Sequence, residues 1–251
     1  MDNDETATSP WTRPGFVAAA VVVALVLVLG GVLAIRGFGA HDDRSSANPS
    51  TSPSTSADAT APTAPTAPAG GASVCGLKGV QMSGTVSKAP AATWAYQGTT
   101  AYPSSTEFGP AATTGDGVRY CFQHSPEGAV FAAANAAVQG TDAALVGPWL
   151  DYFVAEGPHR DDVVTAGGTS TSASGSRMVL TGFRVLSYDG VSARVDLALR
   201  VTTGGTSIYL SAVYTLTWEA GDWKLVVSDP NAPVDFAKIP DVAGYVSWAG
   251  V

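Results

Sequence analysis

The sequence predicts an α+β domain, an antiparallel meander packed with two or three helices, joined through a disordered linker to one transmembrane helix. Three observations carry that expectation. Residues 16–35 read FVAAAVVVALVLVLGGVLAI, without a charge. An alanine-rich stretch with helix-start chemistry lies in the middle of the chain. Four apolar segments of period two, joined by turn dipeptides, fill the C-terminal half.

The apolar run comes first. As a helix it rises about 30 Å, enough to cross a hydrocarbon core. A cleaved signal peptide fits less well, because signal cores run about 7–15 residues and no A-x-A site follows. No cysteine follows the run either, which argues against a lipoprotein anchor. Arg13 before the run and Arg36 and Arg44 after it leave orientation undecided by charge. The linker and the cysteines orient it instead.

From Ser45 to Ala72 every residue except Asn48 and Asp58 is Ser, Thr, Ala, Pro or Gly, including APTAPTAP at 61–68. Such a stretch has no apolar surface to bury and stays extended, with a reach on the order of 90 Å. The expected division is a cytoplasmic tail at 1–15, the span at 16–35, the linker at 36–72 and an extracytoplasmic domain at 73–251. That makes a cell-membrane protein of a single pass.

Cys75 and Cys121 are the only cysteines, and both follow the linker. An even count outside the cytoplasm reads as one disulfide, with two buried free thiols as the alternative. The closed loop would contribute about 4 kcal/mol through chain entropy. His41, His124 and His159 are scattered and show no metal-ligand spacing, so neither metal nor cofactor is expected. From 73 to 251 there are 10 Lys plus Arg against 15 Asp plus Glu, a net of −5. The basic residues form no stripe along the sequence, so nucleic acid is not an expected partner.

Residues 74–114 predict one or two short strands, with Trp94, Tyr96, Tyr102 and Phe108 pinning a wandering segment to the core. In CFQHSPEGAVFAAANAAVQG, Ser125 is an N-cap, Pro126 suits the first helical position and Glu127 complements the dipole. Gly140 is the expected C′ residue. Val130, Phe131, Ala134 and Val138 share one face. A second helix is expected over 142–156, broken or restarted at Pro148, with Trp149, Leu150, Phe153 and Val154 as its apolar side. Strands follow at 177–187, 191–201, 208–218 and 223–228, linked by Asp189-Gly190, Gly204-Gly205 and Ala220-Gly221-Asp222.

Helices followed by a long-stranded meander that ends in YTLTWEAGDWKLVV, 214–227, resemble the curved half-cone of nuclear-transport-factor-like domains. With the apolar run, the linker and CFQHSPEGAVFAAANA, the chain also resembles a family of actinobacterial single-pass membrane proteins. A more distant resemblance is to scaffold subunits of conjugative secretion channels. Fold does not fix function. Enzymes built on this cone use a buried carboxylate and a tyrosine. Asp151, Tyr152, Glu156, Asp161 and Tyr214 are of those types but sit in no catalytic motif, so no enzyme is expected.

The resemblance implies a membrane-anchored scaffold or accessory protein whose partners are envelope proteins or itself, in conjugative transfer. The alternative is a module that holds a small ligand in the cone. A ligand module predicts an open apolar mouth; a scaffold predicts a filled cone and exposed apolar patches elsewhere. The tail brings Phe236, Tyr245 and Trp248, which either dock it onto the sheet or form a partner surface.

Overall fold

The computed structural model describes residues 71–167 and 176–250. Two small hairpins come first, β1 (Thr93–Gln97) with β2 (Thr100–Ser104), and β3 (Ala112–Thr113) with β4 (Arg119–Tyr120). Three helices follow: α1 (Pro126–Gln139), α2 (Val146–Phe153) and α3 (Arg160–Gly167). The meander is β5 (Ser176–Tyr188), β6 (Ser192–Thr203), β7 (Thr206–Glu219) and β8 (Asp222–Leu225). The tail adds β9 (Asp235–Ile239) and β10 (Val246–Ser247).

All pairings in the main sheet are antiparallel, in the order β10-β5-β6-β7-β8, with β9 also on β7. β8 and β9 share one edge of β7, the first on Leu216–Glu219 and the second on Tyr209–Val213. Register shifts at Leu180/Gly182 and Val185/Ser187 place bulges in β5, which bend a strand and raise its twist. The expected α+β class and the four-stranded meander are therefore present, with each predicted strand lying within a few residues of its observed bounds.

α1 starts as its sequence dictates. Ser125 is extended and its hydroxyl accepts from Gly128 N–H, with Pro126 in the first turn. Its burial differs from expectation: Ala129, Ala132, Ala133 and Ala136 are as enclosed as Val130 and Phe131. The reason is a second layer, since α1 packs on β5, β6 and β8 on one side and on β2 on another. Methyl side chains let both layers approach closely. Gly140 also differs, standing in right-handed helical conformation rather than as a left-handed C′ residue. Its hydrogen serves packing, because a Cβ there would lie 3.2 Å from the Trp149 ring. Pro148 does not break the second helix. It falls in the first turn of α2, where backbone N–H groups have no intrahelical partner to lose.

The predicted span at 16–35, the tail at 1–15 and all but the last two residues of the linker lie outside the described residues. Among the described residues no helix is long and apolar enough to cross a membrane. The longest, α1, has 14 residues and rises about 21 Å, short of a bilayer core. The expected fold class is corrected accordingly to an α+β domain without a membrane-spanning helix among its described residues. The single-pass, cell-membrane localisation loses its structural support on the same finding.

Candidate functional site

The β7–β8 turn builds the most concentrated chemistry in the domain. Ala220 and Gly221 both take positive φ, 52° and 81°, the two-residue hairpin turn whose twist matches the strands. That turn makes Asp222 the first residue of β8 and buries it completely. Its carboxylate accepts from Cys121 N–H at 2.7 Å, Phe122 N–H at 2.9 Å, Trp223 N–H at 2.9 Å and the Tyr152 hydroxyl at 2.8 Å. Burial pushes this carboxyl above the usual range while the donors pull the other way. Cys121 itself has φ 68°, a region disfavoured for side-chain-bearing residues, so the carboxylate holds a strained backbone in place.

Cys121 is disulfide-bonded to Cys75, with Cα atoms 6.0 Å apart. The free-thiol alternative is thereby excluded, and no free cysteine remains. The bridge ties the start of the domain to the same carboxylate that anchors β8.

Two residues along β8, Lys224 sends its Nζ to the Tyr152 carbonyl at 2.6 Å and lies 3.2 Å from the centroid of that ring. The carbonyl belongs to the last turn of α2, where carbonyls lack intrahelical donors and the helix end is negative. Burial pushes the Lys224 amine down to about 8, against the pull of Asp222 and Glu219. Burial and Asp222 together hold the Tyr152 hydroxyl well above its ordinary range. Tyr120 packs against Tyr152 with centroids 5.2 Å apart.

Lys224 and Tyr152 line a cleft of about 400 Å³ between α2, the start of α3 and the β3–β4 and β7–β8 turns. Asp116, Asp151, Glu156 and Glu219 line it with Arg160 and Lys224, four negative against two positive groups, a net of −2. Arg160 is committed: it donates to the carbonyls of Val154 and Asp151 and pairs with the carboxylates of Asp151 at 2.9 Å and Glu156 at 3.5 Å. The wall is thus anionic and suited to a cationic group. No three His, Cys, Asp or Glu side chains among the described residues are grouped to hold a metal ion.

Of the carboxylates and tyrosines singled out in the sequence, Asp151, Tyr152 and Glu156 meet in this cleft. Asp161 sits exposed in the first turn of α3, and Tyr214 is enclosed in the sheet. His124 is fully buried, stacked on Trp218 with ring centroids 3.9 Å apart, and its nitrogens face the carbonyls of Gly71 and Gly190. His159 lies 3.8 Å from Asp162, and His41 is outside the described residues.

The tail aromatics dock onto the domain. Trp248 is 5% exposed, packs on Trp94, Phe131 and Phe183, and donates its indole N–H to the Pro90 carbonyl at 3.1 Å. Phe236 packs half-buried against the core, and the Tyr245 hydroxyl donates to Asp196 at 2.8 Å. A partner surface built on Trp248 is excluded by its burial.

Sequence reasoning missed Asp222 and Lys224. Asp222 reads as the last residue of the turn, and Lys224, alternating with Trp223 and Leu225, as the solvent side of a hairpin. The Cys121–Phe122 backbone and α2, brought over that side, enclose them.

These features define a disulfide-closed α+β domain with a filled core and an anionic cleft at one end. The chain belongs to the family described as a domain of unknown function, DUF8175, which matches residues 54–247. No curated protein and no solved structure matches it.

Proposed function

We propose that this chain acts by contact, as an extracytoplasmic scaffold or accessory domain that binds envelope proteins or itself. The observation that carries this reading is the filling of the sheet's inner face. Trp248 of the tail packs on both Phe131 of α1 and the fully buried Phe183 of β5, where a ligand held in a half-cone would have to sit. Exposed apolar side chains lie elsewhere: Val80, Met82, Leu186 and Val191 are each more than 40% exposed. Gly190, next to Val191, packs directly on Met82, so at least part of this set gathers at the β5–β6 turn.

The order of helices before a meander supports the likeness to nuclear-transport-factor-like domains; the setting of a conjugation apparatus rests on the resemblance in overall layout alone. The disulfide fits an oxidising compartment. The test is affinity recovery of tagged full-length chain from gently solubilised envelopes. A reproducible protein partner or a second copy is expected. A monomeric chain that recovers no protein, but takes up a small apolar ligand at one-to-one stoichiometry by calorimetry, would overturn it.

A further inference from the structure

The domain is acidic, yet its arginines are not spread evenly in space. Residues paired across a sheet share a face. On β6, Ala193, Val195, Leu197, Leu199 and Val201 are buried on the side that α1 covers. Arg194, Asp196 and Arg200 therefore point to the opposite side, where Arg200 neighbours Val179 and Tyr209, and Arg184 pairs with Asp196. Arg177, opposite Thr202, joins them from β5. Asp235 of β9, opposite Val213 and so in the same row as Asp196, also lies on this face, and across β5, β6 and β9 it carries four arginines against two carboxylates, 4 − 2 = +2.

Asp196 is consumed within the face. It accepts from Arg184 Nε at 2.9 Å, Ser211 at 2.6 Å and Tyr245 at 2.8 Å, where the tail crosses the sheet. Arg177, Arg194 and Arg200 are exposed and have no ion pair among the described residues. Arg194 and Arg200 are six residues apart on one strand, about 20 Å at the usual rise. The face thus presents unneutralised guanidinium groups over a broad patch, and already shows how it binds a carboxylate.

The complementary surface is on the same chain. The cleft described above has a net −2 wall. Asp116 is exposed on the β3–β4 turn without a described partner, and Glu156 keeps 81% of its side chain in solvent. Its volume of about 400 Å³ admits a guanidinium-tipped side chain, and its carboxylates suit the planar fork of arginine.

We infer that the occupant of the arginine face is the acidic cleft of a second copy of this chain, in a head-to-tail contact. The two surfaces are different, so the contact is heterologous and generates rings or open rows rather than a closed dimer. This rests on the contact function proposed above and names its surfaces. The contact is mainly electrostatic, so it weakens as the screening length shortens from about 10 Å at 0.1 M salt to a few ångströms near 1 M.

Charge exchange tests it. Full-length chain is measured by sedimentation velocity at low and high salt, as wild type, as R194E/R200E, as D116K/E156K, and as a mixture of the two variants. Near-UV circular dichroism checks that each variant keeps the native fold. Wild type should associate at low salt and dissociate at high salt, with the dissociation constant rising at least about tenfold. Each variant alone should be monomeric, and the mixture should recover association as alternating rows or rings of one-to-one composition, because the two exchanged surfaces meet each other and the two native surfaces still match. R194K/R200K, which keeps the charge, should retain association. Association that persists in both variants, or that is lost without recovery in the mixture, overturns the pairing of these surfaces. A wild-type chain that stays monomeric but captures another envelope protein refutes this inference alone; one that captures nothing refutes the contact function as well.

Discussion

Replacing Trp248 by alanine should cost this domain about 4 kcal/mol of stability. The indole is surrounded by Trp94 at 5.2 Å, Phe131 at 5.0 Å and Phe183 at 5.3 Å between ring centroids. Truncating a buried aromatic to alanine removes its transfer free energy and leaves a cavity, together about 3–5 kcal/mol. The Pro90 carbonyl also loses its donor, at a further cost of about 1 kcal/mol where water does not reach it. Rigid neighbours keep the cavity open, because Phe131 is fixed in α1 and Phe183 in β5. For a domain of this size each kcal/mol moves the melting temperature by about 2–4 °C, so the drop should be roughly 8–16 °C. Thermal unfolding of the full chain followed by near-UV circular dichroism reads it directly. A change no larger than surface substitutions give, about 0.5 kcal/mol, would refute the docking of the tail through this ring.

Three further outcomes follow from the cleft and its anchors. Lys224 binds its proton less tightly in the fold, about 8 against 10.5 unfolded. Both states hold the proton below pH 8; above it the native state releases first, so this amine contributes a rise in stability of about 2 kcal/mol between pH 8 and 10. Lys224→Met should flatten that rise in chemical denaturation run across the same range. Asp222→Ala leaves the buried N–H groups of Cys121 and Phe122 and the Tyr152 hydroxyl without their acceptor. It should destabilise by about 3–5 kcal/mol, and a denaturation midpoint unchanged from wild type would contradict that role. Cys75→Ser with Cys121→Ser opens a loop of sequence separation 46, which should lower stability by about 4 kcal/mol by the same assay.

The sequence by itself determined the elements that depend on neighbours in the chain. Period-two alternation in β6 and β7, the Ser125-Pro126 start of α1 and the two-residue turns at Gly204-Gly205 and Ala220-Gly221 are local chemistry, and the structure places each where that chemistry puts it. The pairing of Cys75 with Cys121 needed only an even count and a compartment. Tertiary structure decided what depends on which layers meet. It enclosed α1 on every side instead of one, set Gly140 against Trp149, and buried Trp248 of the tail against Trp94, Phe131 and Phe183. Asp222 and Lys224 became buried groups because the Cys121–Phe122 backbone and α2 cover residues that the local sequence assigns to turn and solvent. Arginines that look dispersed at 177, 184, 194 and 200 converge on one sheet face, because register brings residues far apart in sequence within reach of each other. Burial and charge convergence are properties of paired surfaces, and a linear pattern records only one surface of each pair.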